Sequence, residues 1–231
     1  MKKSLFAVTR AMLLVTILCL LVQVSDAQIV NEQTRNKITV GIGINTDIWN
    51  NVPDGINTRV INQGFQSVLM YNVPFGKSPL GFSAGVGFRA QNLFLKDAVF
   101  QSTKDSTYIQ ALDDSISVTR SKLTLPYLEV PIEFFYKGKT GLTIAAGFKV
   151  GYLLPAHIKY VGDNYETGST LRYRVKYRNI QNMETFSYGP TLRVGYKWIH
   201  AFGYYSLSKI FTKDKGPDLY PITVGIMIMP Y

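Results

Sequence analysis

The chain has few of the residues from which soluble enzyme sites and disulfide-bonded folds are built. Its 231 residues include one cysteine, Cys19, and two histidines, His157 and His200. An intramolecular disulfide needs two cysteines and a cysteine metal site needs several, so we expect neither. No apolar run after residue 22 reaches the roughly 20 residues that a transmembrane helix requires. These shortages leave few routes to catalysis and argue against a helical membrane protein.

The N-terminal residues have the pattern of an export signal. A basic start is followed by an apolar run over 11–22, and its cations are Lys2, Lys3 and Arg10. Small residues at the cleavage positions then end at Ala27. Cys19 lies in the middle of the apolar run, whereas a lipoprotein cysteine would stand at its end. We therefore predict a cleaved signal peptide at 1–27 and a short periplasmic segment at 28–36.

The net charge is positive, at +10 for the whole chain. Removal of the signal takes away three cations and one acid, Asp26, which leaves +8. A basic protein can bind nucleic acid, but an exported one meets anionic lipid and glycan first. We therefore expect outer-membrane lipid and lipopolysaccharide as partners, and no nucleic acid.

Apolar residues alternate with small or polar residues along the rest of the chain. The clearest segments begin Ile38, Val40, Ile42; Leu80, Phe82, Ala84; Leu128, Val130, Ile132; Leu142, Ile144, Ala146; and Leu192, Val194, Tyr196. Side chains alternate across a strand, so each segment has one apolar face and one small or polar face. A soluble β-sandwich also alternates, but here the glycine-rich polar face suits a narrow lumen. The segments are also long enough for tilted transmembrane strands, which need about 9–11 residues.

Two further features favour a membrane barrel. Aromatic residues stand near many segment ends, as in an interfacial girdle: Tyr71, Tyr136, Tyr152, Trp198, Tyr205 and Tyr220. Short connections also alternate with long polar ones, as the periplasmic turns and outer loops of outer-membrane barrels do. The short ones are 74–79, 138–141 and 199–201, and the long ones are 50–57, 96–121, 162–185 and 212–219.

This pattern predicts an all-β fold with eight strands. They span 37–49, 58–73, 80–95, 122–137, 142–161, 186–199, 201–211 and 220–231. An even number of strands places both termini in the periplasm. We therefore predict a transmembrane eight-stranded antiparallel up-and-down β-barrel over 37–231, in an outer membrane.

Several short motifs resemble those of PorT-like outer-membrane barrels. They are Tyr127-Leu-Glu-Val-Pro131, Ala145-Ala-Gly-Phe-Lys-Val-Gly151, Gly189-Pro-Thr-Leu-Arg-Val-Gly195, Tyr205-Ser-Leu-Ser-Lys-Ile-Phe211 and Thr223-Val-Gly-Ile226. The resemblance covers most of the mature chain and implies an eight-stranded outer-membrane barrel of Gram-negative bacteria. The namesake is linked to type IX protein secretion. The aromatic end at Tyr231 resembles the signal read by the barrel-assembly machinery, a partner expected during biogenesis.

Strand parity places a set of charged residues on the inward face. The set is Glu129, Glu133, Arg89, Lys149, Arg193 and Lys197. Four residues along a strand separate the two glutamates by roughly 13 Å, which exceeds the roughly 5–9.5 Å between glycosidase carboxylates. An eight-stranded interior is just wide enough for side chains to fill. We therefore expect a lumenal charge network and not a catalytic pair.

The histidines give no motif for catalysis. We predict His200 in a periplasmic turn and His157 near the outer end of the fifth strand. His157 together with Ser169 or Glu166 is a conceivable nucleophilic site, but the sequence spacing of these residues matches no known motif. We predict that the protein is not an enzyme and has neither cofactor nor metal.

A basic run at 170–179 is the most distinctive segment outside the membrane. Its cations stand at every second position, Arg172, Arg174, Lys176 and Arg178, and alternate with apolar or aromatic residues. This predicts a strand with one cationic face, in a hairpin above the membrane. The face is either a solvated surface or a contact for lipopolysaccharide phosphates or an acidic partner, because arginine clusters suit bidentate anion binding.

Two prolines interrupt the apolar run of the fourth strand. Pro126 stands near the outer strand end, where pairing frays. Pro131 lies mid-strand, and a closed barrel has no free edge to accommodate its missing hydrogen-bond donor. We therefore expect a bulge or a broken ladder bond at Pro131.

The function expected from these features is a structural or interaction role in the cell envelope. Docking to an envelope or protein-secretion assembly, type IX-like in kind, would use the loops. A small pore or ligand carrier is the alternative, followed by an outer-membrane hydrolase.

Overall fold

Twelve β-strands make up the ordered framework of residues 37–178 and 180–230, which a computed structural model describes. They are β1 (Ile38–Asn50), β2 (Gln63–Pro74), β3 (Leu80–Leu95), β4 (Ala98–Ser102), β5 (Thr107–Ala111), β6 (Val118–Lys137), β7 (Leu142–Leu153), β8 (His157–Asn164), β9 (Ser169–Arg178), β10 (Phe186–Tyr196), β11 (Ile199–Tyr205) and β12 (Tyr220–Ile228). The predicted signal peptide, the segment 28–36 and Tyr231 lie outside the described residues. Within those residues, no helix has the length and hydropathy needed to cross a lipid bilayer.

Eight of the strands close into a barrel in which every neighbouring pair is antiparallel. Their order around the barrel is β1, β2, β3, β6, β7, β10, β11, β12. Pairing of β12 with β1 closes the ring, and pairing of β3 with β6 bridges the inserted strands β4 and β5. The predicted all-β, eight-stranded antiparallel up-and-down barrel is confirmed.

Alternation places apolar side chains on the outside of the barrel. On β1, Ile38, Val40 and Ile42 are exposed, and the residues between them are buried. The exposed apolar side chains continue around the wall, for example Leu128, Val130, Ile132 and Phe134 on β6 and Ile144, Phe148 and Val150 on β7. A soluble monomer does not carry so large an apolar surface. This lipid-facing band is the surface expected of a membrane barrel.

Aromatic side chains mark the ends of the band. Five of the predicted girdle residues are exposed, namely Tyr71, Tyr136, Tyr152, Trp198 and Tyr205. Tyr220 is half-buried instead. Tyr152 packs edge-on against Phe186 of β10, with ring centroids 5.8 Å apart.

The predicted strand 142–161 consists of two segments, β7 and β8, that share the partner β6. The register against β6 shifts by one residue between them. In the gap, the Leu154 amide donates to the Pro126 carbonyl at 2.8 Å. Pro155 follows and cannot donate. The interruption is therefore a one-residue bulge, and the sheet continues beyond it.

Pro131 interrupts the hydrogen-bond ladder without a bulge. Toward β7 the register runs unbroken, with Pro131 opposite Lys149. Toward β3 the pairing stops at Ile132 and resumes in the same register at Glu129. The missing proline donor thus breaks the ladder on one side only. The expected broken ladder is confirmed, whereas the alternative, a bulge, is not found.

The remaining strands form an outer layer at the end of the barrel that carries the long connections. β4 and β5 pair as a hairpin within the predicted loop 96–121. The β8–β9 hairpin extends the sheet beyond β6. A hydrophobic core fills the barrel mouth beneath this layer, formed by Trp49, Leu93, Leu95, Ala98, Phe100, Leu123, Leu125, Tyr127, Ala156, Ile158, Ile210, Phe211 and Leu219.

Candidate functional site

The centre of the lumen holds a buried ion cluster around Glu129. Lys149 Nζ donates to Glu129 Oε2 at 3.0 Å, and Arg89 Nε pairs with Oε1 of the same carboxylate. The three side chains are at most 4% exposed. They come from β3, β6 and β7, which are consecutive around the barrel, and Gly87 and Gly151 stand opposite Glu129. One carboxylate therefore binds two cations where water is excluded.

Two tyrosine rings enclose Arg89. Its guanidinium carbon lies 4.7 Å from the ring centroid of Tyr127 and 4.7 Å from that of Tyr204. Lys149 Nζ lies 4.3 Å from the Tyr204 centroid, and Tyr204 Oη is 2.7 Å from Ser187 Oγ. Ring faces carry negative potential and attract cations most strongly where water is excluded. The rings therefore stabilise the cation that the single carboxylate does not balance.

A second charged tier lies nearer the short turns. Arg193 donates to Glu133 Oε2 at 2.6 Å, and another guanidinium nitrogen lies 3.2 Å from His200 Nδ1. His200 is only 4% exposed, although the sequence predicts it in a periplasmic turn. The turn consists of two residues only, so β11 has already begun at Ile199 and points His200 into the lumen.

Lys197 does not join the lumenal network, and its predicted inward position is wrong. Tyr196 pairs with Ile199, so Lys197 is the first of the two turn residues, with φ at 52°. Its side chain is exposed, with Nζ 5.3 Å from the Tyr196 ring centroid. The strand alternation used for the prediction ends at Tyr196, one residue before Lys197.

Asp47 forms a third buried polar cluster, which sequence reasoning missed. Its Oδ1 accepts hydrogen bonds from Thr223 Oγ1 at 2.6 Å and Gln91 Nε2 at 3.2 Å, and its Oδ2 accepts one from the Asn92 amide at 3.2 Å. Within residues 37–178 and 180–230, Asp47 makes no salt bridge. The alternation of the first strand already places Asp47 on the inward face. Its uncharged partners lie on strands distant in sequence, so the sequence pattern does not reveal the cluster.

These layers fill the barrel. The cavity left among Gln66, Glu129, Lys149, Arg193 and Tyr204 measures about 30 Å³, which is room for little more than a water molecule. Phe202, Met227 and Met229 pack together beyond it, toward the short turns. The hydrophobic core at the mouth covers the opposite end. Side chains of these layers therefore occupy the described lumen between the short turns and the mouth.

The second feature is a cationic surface on the sheet β6–β8–β9, here named the outer basic face. It comprises Arg120 and Lys122 of β6, Lys159 of β8, and Arg172, Arg174, Lys176 and Arg178 of β9. Lys122 stands opposite Lys159, which stands opposite Lys176. The β9 cations are exposed, as their alternation predicts. Sequence alone does not reveal that β6 and β8 extend the face, because their pairing with β9 is a tertiary relationship.

Tyrosines pack on the opposite side of this sheet. Tyr165 lies between Tyr160 and Tyr173, with ring centroids 5.0 Å and 5.9 Å away. Tyr160 is itself buried, and its strand neighbour Ile158 belongs to the core at the mouth. The cations therefore occupy the outward surface and the aromatic residues the inward one.

The residues considered for a hydrolase site, His157, Ser169 and Glu166, do not lie together. His157 pairs with Arg178 at one end of the β8–β9 hairpin, and Ser169 pairs with Asn164 at the other. Seven residues along a strand separate these ends by roughly 23 Å, and Glu166 lies in the turn beyond Asn164. Among the described residues, no cluster of His, Cys, Asp and Glu side chains could hold a metal ion.

The family model of the outer membrane protein beta-barrel domain matches residues 27–212. The chain belongs to this family. Its location is accordingly the outer membrane, in agreement with the lipid-facing band. No curated protein matches the chain in sequence.

Solved outer-membrane barrels resemble this family member at low identity. The attachment invasion locus protein Ail of Yersinia pestis, in complex with the heparin analogue sucrose octasulfate, has 14% identity and a TM-score of 0.38, covering 84% of this chain and 97% of that chain. A second Ail structure has 13% identity and a TM-score of 0.39, with the same coverage. A mutant of the Rh. blastica porin has 10% identity and a TM-score of 0.21, covering 83% and 99%. Likeness of this degree carries no information on function.

Proposed function

We propose that this outer-membrane barrel is a structural and interaction protein, and neither a pore nor an enzyme. The observation that carries the proposal is the blocked lumen, in which the Glu129 and Glu133 ion clusters leave a cavity of about 30 Å³. A barrel without a passage acts through the surfaces that it presents to other molecules. Its partner is an envelope or protein-secretion assembly, docked through the outer layer. The motifs resembling PorT-like barrels support a type IX-like assembly.

A groove in the outer layer offers a docking surface. It measures about 360 Å³ and is lined by Ser102, Thr103, Lys104, Tyr177, Arg178, Ile180 and Gln181. Hydrogen bonds fix its walls: Asn182 Nδ2 donates to the Thr103 carbonyl at 3.2 Å, and Thr107 Oγ1 donates to the Gln181 carbonyl at 3.5 Å. A wall that is already ordered loses little conformational entropy when a partner segment enters it.

Site-specific crosslinking in intact outer membranes tests the docking proposal. A photoreactive residue replaces Lys104 in the groove, and the matched control carries it at Lys139, which is exposed in the short turn 138–141 at the other end of the barrel. We expect the Lys104 position to capture a defined envelope or secretion protein that also copurifies with the tagged native barrel. The Lys139 position should not capture it.

Two results would contradict the proposal. One is capture of the same proteins from both positions. The other is isolation of the barrel alone together with no adduct from Lys104. For the non-enzymatic part, loss of a lipid or peptide hydrolysis on His157→Ala would show that the protein is a hydrolase.

A further inference from the structure

The outer basic face is the direct continuation of the lipid-facing surface. On β6, Lys122 has the same strand parity as Leu128 and Val130, which belong to the lipid-facing band. The register then carries this outward face across β8 and β9, through Lys159 to Lys176. The cations therefore stand on the outside of the barrel wall, above the apolar band, and not over the barrel mouth.

The rows of this face begin just above the height of lipid headgroups. In the row nearest the apolar band, Thr124 stands opposite His157, which stands opposite Arg178. Thr124 is four residues beyond Leu128, the last exposed apolar residue on β6. That distance is roughly 13 Å along the strand and about 10 Å along the membrane normal for a strand tilted near 40°. The headgroup region adds about 5–8 Å to each side of the hydrocarbon core. Long basic side chains reach down from their backbone into such a region.

The cations of the face have no internal counter-charges. Like charges directly opposite each other destabilise a strand pair, and the row of Lys122, Lys159 and Lys176 has two such contacts. Among the described residues, no cation of the face makes a salt bridge. The one acid in β8 and β9, Asp163, already accepts a hydrogen bond from the Ser117 amide at 3.0 Å.

Repulsion among these cations affects the pKa of Lys122, which belongs to the face itself. Partial burial holds the pKa of Lys122 below its usual value, and Arg120, Lys159 and Lys176 lower that pKa further. The contacts of Lys122 Nζ are with uncharged groups, the Asn92 Oδ1 at 3.0 Å and the Phe94 ring, whose centroid is 5.3 Å away. An arrangement that repels itself in the isolated protein is stabilised when an anion binds it.

Protection of the sheet edge does not account for the whole face. β9 ends the sheet, and cations on an edge strand discourage pairing with other chains. Lys159 and Lys122, however, belong to β8 and β6, which are paired on both sides. Their charges contribute nothing to edge protection.

We propose that the outer basic face binds the phosphate groups of lipopolysaccharide in the outer leaflet beside the barrel. Phosphate oxygens accept charge-assisted hydrogen bonds from several basic side chains at once. Lipid is the occupant, and not a soluble polyanion, because the face borders the apolar band along which the acyl chains lie. The inference depends on the outer-membrane location and not on docking in the groove. Lipopolysaccharide binding and partner docking can therefore each fail without the other.

Binding of rough lipopolysaccharide to the purified, folded full chain tests the inference. The face variant is Lys159→Gln, Arg174→Gln, Lys176→Gln, which spares the groove residue Arg178. The control variant is Lys139→Gln, Lys213→Gln, Lys215→Gln, which removes the same charge from exposed positions away from the face and the groove. We expect the face variant to lose affinity by on the order of tenfold or more, while the control variant binds like the wild type. Phosphatase-treated lipopolysaccharide should bind the wild type as weakly as the intact lipid binds the face variant.

Several outcomes would overturn the inference. Equal losses in the two triple variants would indicate attraction by net charge alone. Undiminished binding of the dephosphorylated lipid would exclude phosphate as the ligand. Tighter binding of a soluble sulfated polysaccharide than of lipopolysaccharide would exclude the lipid as the natural occupant. The exposed single change Lys176→Glu provides a second test if the face variant folds poorly, and unchanged lipopolysaccharide affinity in it would contradict the inference.

Discussion

Lys149 Nζ lies 3.0 Å from Glu129 Oε2 in the middle of a lumen where neither side chain is more than 4% exposed. Arg89 binds the other oxygen of the same carboxylate. Removing charged groups from water costs several kcal/mol per ion, and only good pairing recovers it. The carboxylate of Glu129 therefore supplies the paired negative charge for two cations at the centre of the barrel.

Glu129→Gln should destabilise the barrel strongly, by about 3–5 kcal/mol, because it leaves Arg89 and Lys149 buried without a counter-charge. The matched control is Asp218→Asn, which breaks the exposed pair with Lys209 and should cost about 0–1 kcal/mol. Urea unfolding in lipid vesicles measures both, and loss of heat-modifiable gel mobility gives an independent readout. Equal effects of the two substitutions would show that the buried cluster has no special role.

Tyr204 is predicted to stabilise the same cluster through its ring. Tyr204→Leu removes the face that contacts both Arg89 and Lys149 and should cost about 2 kcal/mol or more. Its neighbour Tyr205 points to the lipid, at 43% exposed, so Tyr205→Leu should change the unfolding free energy by less than about 1 kcal/mol. Thermal unfolding of both variants measures the difference. A Tyr205 effect as large as that of Tyr204 would contradict the assigned roles.

Gly147 is predicted to be sensitive to substitution, because a Cβ there would meet the backbone oxygen of Ile132 on the neighbouring strand. Gly147→Ala should cost about 1–3 kcal/mol through overpacking. Gly203 is the control, because a Cβ added there meets no atom within 4 Å. Folding yield and unfolding midpoint measure both variants. If Gly203→Ala were as damaging as Gly147→Ala, close strand packing would not explain the glycine-rich face.

The fold was predictable because strand alternation is local in sequence, whereas the site partners were not. Parity alone places Glu129, Arg89 and Lys149 on the inward face. Asp47 has the same inward parity, but its hydrogen-bond partners Thr223 and Gln91 lie on other strands. Such pairs depend on the register between strands, which the sequence does not display.

The wrong placements came from strand ends. Lys197 was assigned from alternation that was expected to run to residue 199, and His200 was assigned to a turn expected at 199–201. The actual turn holds two residues, so Lys197 leaves the lumen and His200 enters it. Turn length shifts the parity of everything that follows, and a one-residue error moves a side chain to the other face.

His157 is predicted to report the charge of the outer basic face. Burial lowers the pKa of His157 below its usual 6.5, and Lys176, Lys122, Arg178 and Lys159 lower it further. Lys176→Gln should therefore raise the pKa of His157, and Lys213→Gln should leave it unchanged. Proton-detected NMR titration of the histidine ring measures the pKa. No rise in the Lys176 variant would contradict the electrostatic coupling.

The depressed pKa of His157 also sets the sign of a pH effect. Because the unfolded chain binds the proton more readily than the folded one, His157 does not disfavour folding above pH 6.5. As the pH falls from 6.5 toward the lower folded pKa, the unfolded state gains protons and stability decreases. Replacement by glutamine removes this contribution, so His157→Gln should show a smaller loss of stability between neutral pH and pH 5. An unchanged pH profile would contradict the assignment to His157.

Conductance across a planar bilayer tests the central claim most directly. Purified full-length protein, checked for folding by heat-modifiable mobility, is inserted into a bilayer in concentrated potassium chloride. Because ion clusters and packed side chains fill the lumen from mouth to turn, we predict no discrete conductance steps above those of the protein-free bilayer. Regular, reproducible steps from correctly folded protein would contradict a closed barrel and would identify the protein as a pore.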